Sequence, residues 1–325
     1  MNFVILNGLS VGSISNYIFH DLKKNDNVRS YYLYYSKNIK NHYLQLMYNL
    51  IRNKSWISRE NRIQFLIDKI IDESSDNTVV IMTNEMLQYL NADHIQKFQN
   101  NGLKVVLVLI DPLTADYITV KVAKEIINHV NFDQIFTFDP NDATEYGLDY
   151  CNTIYSKIVD NISSENKYDI CYFGNIKDRL LKINELLKES KSHHVNLLLK
   201  LSGCSSEDRN LLPKEAVLKH IMPYEKLLML TQMSNCIFDM TQDGQTGVTF
   251  RYYEAIIYNK KLITNNKAIQ NLPYYDNRYI KFYNNIKDID WGWVKKRETI
   301  DYGYNGEFSP LNLLKRIEMK LDGDT

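Results

Sequence analysis

Arg251 and Glu254 stand three residues apart, just after a glycine-bearing run, Asp243-Gly244-Gln245-Thr246-Gly247. Two glycines and an acidic turn-former within five residues do not hold regular structure. Over 248–258 the residues Phe250, Tyr253, Ala255, Ile256 and Ile257 recur at helical spacing, so a helix follows. A loop feeding a helix N-terminus gathers unpaired backbone N–H groups at the positive end of the dipole. Phosphate suits that point. The backbone amides of Thr246, Gly247, Val248 and Thr249 are the expected donors, and Arg251 adds a bidentate cation. Glu254 falls near the same end, where a carboxylate accepts from two ribose hydroxyls. Together these residues predict a nucleotide-sugar pocket. The bland alternative is a surface ion pair on an ordinary α/β helix.

The elements around this segment alternate in type. Apolar runs over 236–240 and 261–264 read as buried strands on either side of the helix. Toward the N-terminus, strands are expected over 3–6, 28–35, 78–82, 104–110 and 134–138, with helices over 14–24, 41–51, 59–71 and 115–130. The first strand enters a glycine-bearing loop at 7–13 that offers only neutral groups. Carboxylates at the carboxyl ends of parallel strands line the crevice where α/β ligands bind. Asp111 is therefore the preferred general base, with Glu85 second. Asp111 precedes Pro112, which makes an ordinary turn start the competing reading. Asp139-Pro140 opens a short helix that Gly147 ends.

The polar stretch over 158–167 is the expected linker. Strand–helix alternation restarts at 168–173 and continues with strands over 195–200, 217–222 and 279–282. This restart predicts a second Rossmann-like domain, giving domains over 1–160 and 168–307 and a terminal helical segment over 308–325. In the second domain, Gly174, Asn175, Lys177 and Arg179 form the loop after its first strand. Cations at a helix start oppose the dipole, so their presence there points to an anion.

Three segments, QTGVTFRYYEA with KKLITNN, YDICYFGNIKDR and IFTFDPNDATEYGL, resemble bacterial glycosyltransferases of the GT-B fold. The likeness runs in order over about the second two-thirds of the chain and is nearest to enzymes of capsule and lipopolysaccharide O-antigen assembly. It implies two Rossmann-like α/β domains facing across a cleft, the first binding an acceptor and the second a nucleotide-sugar donor. It also implies that the loop bearing Lys177 and Arg179 meets the donor diphosphate and that Tyr224 lies at the nucleobase corner. The terminal helix would pack back on the first domain. The implied acceptor is a glycan, lipid-linked at the inner leaflet. Fixed dipoles and cations would stabilise the leaving group, so no metal or other cofactor is expected. The alternative is a non-catalytic partner that keeps this fold and supports a true transferase.

Composition narrows the remaining classes. At 325 residues the chain accommodates two domains. A formal charge of zero and the lack of a recognition motif argue against nucleic acid. The charge is nonetheless local: over 23–69 ten Lys/Arg face three acidic residues, a surplus of +7 among many tyrosines. Such a stretch fits peripheral contact with an anionic membrane, or a solvated basic face. Cys151, Cys171, Cys204 and Cys236 are widely spaced and read as buried thiols in a reducing compartment. The apolar start over 2–6 is too short for a signal peptide. No run approaches the ~20 apolar residues of a span, so a cytoplasmic location is expected. His193-His194 has no ligand-spaced partner. Asp288-Ile289-Asp290 copies a metal-binding DxD, yet it precedes a helix, where Asp is a routine N-cap.

Overall fold

The computed structural model describes residues 1–7, 17–32, 59–115, 118–152, 154–160, 166–176, 178–220, 222–241 and 248–323. The glycine-bearing loop after the first strand and most of the basic stretch over 23–69 lie outside them. The chain divides into two compact units, Met1–Ser156 with Phe308–Thr325, and Lys157–Glu307.

The first unit is built on β1 (Asn2–Asn7), β2 (Val28–Tyr32), α1 (Arg59–Glu73), β3 (Thr78–Thr83), α2 (Ala92–Asn100), β4 (Lys104–Val108), α3 (Ile118–His129), β5 (Gln134–Thr137), α4 (Pro140–Tyr146) and β6 (Asp149–Tyr150). Its strands pair in parallel in the order β2-β1-β3-β4-β5-β6. A parallel strand buried on both faces reads as an unbroken apolar run. Thus Val79, Val80, Ile81 and Met82 of β3 and Val105, Val106 and Leu107 of β4 are fully buried. Helix α4 starts as its residues require. The Asp139 carboxylate accepts from the amides of Asn141 (2.8 Å) and Asp142 (3.3 Å), Pro140 follows, and Gly147 ends the helix at φ 65°.

The second unit contains β7 (Tyr168–Asn175), α5 (Leu180–Ser192), β8 (Leu197–Ser202), α6 (Ser206–Leu211), α7 (Tyr224–Gln232), β9 (Ser234–Asp239), α8 (Phe250–Ile257), β10 (Lys261–Thr264), β11 (Ile280–Phe282) and α9 (Trp291–Lys295). Its parallel order is β11-β10-β9-β7-β8. Counted from its own first strand this is 2-1-3-4-5, which reverses direction between β7 and β9. The strand expected over 217–222 does not form. Val217 makes one bridge to Leu201, and Lys219 and His220 are exposed where a strand would need a partner. Asp290 caps α9, its Oδ1 accepting from the Trp293 amide at 2.9 Å. Helix α10 (Pro310–Asp322) belongs to the first unit. There its cap residue Ser309 donates to the Asp21 carboxylate at 2.8 Å. No helix among the described residues is long and apolar enough to cross a membrane.

All four cysteines are buried and free. Burial pushes the Cys171 thiol up to about 11, far from a reactive thiolate. Lys261, at the start of β10, has a fully buried side chain. Its Nζ donates to the carbonyls of Trp293 (2.9 Å) and Lys296 (2.6 Å) and pairs with Glu298 at 2.7 Å. These bonds tie α9 and the segment after it to the sheet. Lys261→Ala strands the acceptors, so urea denaturation should show a loss of about 3 kcal/mol. Lys296→Ala, on an exposed side chain, should stay within about 0.5 kcal/mol of wild type.

Candidate functional site

The reversal between β7 and β9 is where an open α/β sheet leaves a crevice at its carboxyl edge. A cavity of about 240 Å³ lies there, lined by Tyr172 and Phe173 of β7, Arg179, Tyr224, Asp239, and the start of α8 at Thr249–Arg251. Thr246, Gly247 and Lys177 lie outside the described residues. Val248 and Thr249 are described and lead into α8. The helix begins two residues later than expected, because Thr249 is its extended N-cap (φ −76°, ψ 161°). The Thr249 hydroxyl accepts from the Arg251 amide at 3.3 Å.

Arg251 is the centre of this site. Its Nη1 donates to both oxygens of Glu254, at 2.7 and 2.5 Å, and its Nη2 donates to the Phe173 carbonyl at 2.8 Å. The guanidinium also lies 5.9 Å from the Phe173 ring centroid. Burial by itself disfavours the charge on Arg251. The Glu254 carboxylate beside it more than offsets this and holds its pKa above the ordinary arginine value.

Glu254 departs from its expected role. It was expected to face a ribose, but its side chain is 0 % exposed. Arg251 takes both oxygens, and the Tyr224 hydroxyl donates to Oε1 at 2.5 Å. The carboxylate thus joins α8, β7 and the start of α7 and does not line the cavity. Tyr224 does line it, half-exposed, with its hydroxyl turned to Glu254.

Arg179 contributes the cavity's unneutralised cation. It precedes α5 as the cap residue, and its Nη1 donates to the Tyr172 hydroxyl at 3.2 Å. Among the described residues it pairs with no carboxylate, and its buried Nε has no hydrogen-bond partner. A buried donor without a partner costs roughly 1–3 kcal/mol unless a ligand or water meets it. Gly174 sits close to the same tyrosine: a Cβ there would lie 3.0 Å from the Tyr172 hydroxyl. Asn175 is exposed, with its amide over Gly203, whose φ of +69° and 2.5 Å clearance exclude a side chain.

Asp239 is the residue the sequence reading missed. It ends β9, is 3 % exposed and lines the cavity. Its carboxylate accepts from the hydroxyls of Thr249 (2.9 Å) and Thr264 (2.8 Å). Burial pushes its pKa above the ordinary carboxylate value, against those bonds and the fields of Arg251 and Arg179. Its signal in the sequence is the one Asp111 carries, a carboxylate closing a buried apolar strand.

In the first unit, Asp111 and Glu85 occupy the carboxyl ends of neighbouring strands. Asn84, fully buried, accepts from the Ile110 amide at 2.8 Å and donates to Asp111 Oδ2 at 3.0 Å. Asp111 is half-buried, and Glu85 precedes the 3-10 turn Met86–Gln88 without a side-chain capping bond to it. Among the described residues no His/Cys/Asp/Glu cluster is arranged to hold a metal.

No protein-family model matches the chain, and no curated protein matches it. Among solved structures, it is similar to the α,α-trehalose-phosphate synthase (UDP-forming) from Burkholderia xenovorans, in complex with glucose-6-phosphate. That likeness has a TM-score of 0.51 at 9% identity, over 91% of this chain and 90% of that one. It is a likeness of fold. The chain has two Rossmann-like α/β domains of the GT-B type. An apo OtsA structure gives 0.49 at 12% identity over 89% of each chain, and TarM gives 0.45 at 15% over 72% of this chain and 52% of its own.

The buried pair yields a stability prediction. Glu254→Gln leaves Arg251 charged and uncompensated, so urea denaturation should show a loss of about 3 kcal/mol. An unchanged midpoint would mean that the carboxylate does not hold the guanidinium.

Proposed function

We propose that this chain is a glycosyltransferase that binds a nucleotide-sugar donor in the β7/β9 cavity of its second unit. The observation that carries this reading is Arg179, a cation with a buried, unpartnered Nε at the switch point of a parallel sheet, beside Arg251 and the first turn of α8. Charge on a departing nucleoside diphosphate is met there by fixed donors, which is electrostatic preorganisation. Lys177 and the amides of Thr246, Gly247, Val248 and Thr249 are assigned to the same anion, and Gly174 and Asn175 to the loop beside it. The Tyr224 ring closes the pocket on the nucleobase side. Arg251, already neutralised by Glu254, serves the donor through its position more than through its net charge. Because Glu254 is buried, its contribution to ribose binding is indirect.

The Burkholderia xenovorans structure supports a UDP-forming sugar transfer on this fold, with a sugar phosphate as its bound ligand. For this chain the acceptor is a glycan bound by the first unit. Asp111, aligned by Asn84, acts as the base if the reaction inverts, and Glu85 is the second candidate. The surplus of +7 over 23–69 fits an acceptor lipid-linked at an anionic leaflet in surface-polysaccharide synthesis. Metal-independent transfer at the cytoplasmic face completes the proposal.

A thermal-shift screen with UDP, GDP, CMP and TDP sugars tests the donor. One nucleotide should raise the melting temperature, by an amount that grows with the logarithm of its concentration above Kd. Arg179→Ala should weaken that ligand by roughly 10- to 100-fold, the worth of a hydrogen bond to a charged group. Equal binding by the variant would remove Arg179 from the site. Transfer that persists in EDTA supports chemistry without a metal, whereas its abolition overturns that part.

A further inference from the structure

We infer that Asp239 is a positioning residue for the donor: by holding the Thr249 hydroxyl it sets where the first turn of α8, and with it Arg251, meets the cavity. This rests on the donor reading of the cavity and adds a residue to it.

The geometry is a relay of short bonds. Asp239 pairs in register with Thr264 across β9 and β10, and the Thr264 hydroxyl donates to Oδ2 at 2.8 Å. Thr249 donates to Oδ1 at 2.9 Å and accepts from the Arg251 amide at 3.3 Å. One carboxylate therefore anchors the N-cap of α8 to the ends of two adjacent central strands. The Tyr283 hydroxyl adds a bond to the Asp239 carbonyl at 3.2 Å, fixing the strand end itself.

Packing alone does not account for a carboxylate here. Among the described residues Asp239 has no ion-pair partner, and a buried carboxylate without one is costly. An apolar residue would close the strand more cheaply. The benefit lies in orientation, because a carboxylate with two hydroxyl donors fixes both oxygens. Helix α8 has eight residues, and this cap bond fixes the backbone of its first turn beside the side-chain bonds that Arg251 makes. A cap displaced by 1 Å would carry Arg251 with it, and catalytic sites lose orders of magnitude to such shifts.

The test measures dissociation constants for UDP, GDP, CMP and TDP, and melting temperatures, on the full chain. It compares wild type with Asp239→Asn, Thr249→Val and Thr249→Ser. Asp239→Asn and Thr249→Val should each weaken the nucleotide about ten-fold or more, whereas Thr249→Ser, which keeps the hydroxyl, should stay within about three-fold of wild type. A purely structural role predicts lower melting temperatures with unchanged dissociation constants, and that result overturns the inference. So does Thr249→Ser binding as poorly as Thr249→Val. If Asp239→Asn fails to fold, the Thr249 pair decides the matter. Wild type that binds none of UDP, GDP, CMP and TDP overturns the donor reading and this inference together, while tight wild-type binding retained in Asp239→Asn and Thr249→Val overturns the inference only.

Discussion

The second unit depends on a buried charge that must be neutralised. Arg251 enters the protein between α8 and β7, and removing a guanidinium from water is tolerable only with a partner and filled donors. Glu254, one helical turn on, supplies the charge. The Phe173 carbonyl takes the second nitrogen, and Tyr224 completes the carboxylate. Three elements of chain are thereby constrained at one point: the end of β7, the start of α7, and the first two turns of α8. The cavity is the space these constraints leave at the sheet's reversal.

Both units follow the same plan at their carboxyl edges. Central strands are apolar on both faces, so polar side chains appear only where strands end, and there they must be bonded. In the first unit Asn84 links the ends of β3 and β4 through the Ile110 amide and Asp111. In the second, Asp239 links β9, β10 and the cap of α8. The difference is electrostatic. The described edge of the first unit presents carboxylates, which suit a proton to be removed. The second presents Arg179, whose guanidinium pairs with no carboxylate among the described residues while the Asp239 carboxylate is taken up by two hydroxyls, and such a cation suits an anion.

Much of the architecture was legible because burial writes itself into composition. The run KVVLVLI over 104–110 has no amphipathic period and only one place in a parallel sheet. Asp139-Pro140 and Gly147 mark α4 by local stereochemistry that no distant contact overrides. The strand expected over 217–222 failed where the local argument lacked a partner, since strands are stabilised by pairing and β8 is already the sheet edge beyond a single bridge. The orientation of Glu254 has a related cause. Residue spacing put it near the helix start, but not which way its carboxylate pointed.

By itself the sequence determined the alternation of strands and helices and the two Rossmann-like units. These follow from periodicity and backbone chemistry, which act over a few residues. Only the tertiary structure decided that Glu254 is a strut, that Arg179 is the unneutralised cation, and that Asp239 lines the cavity. Those outcomes depend on desolvation and on partners drawn from β7, α7 and β10, as far as 78 residues away in the chain. Charge burial is a property of the packed molecule, and no short stretch of chain contains it.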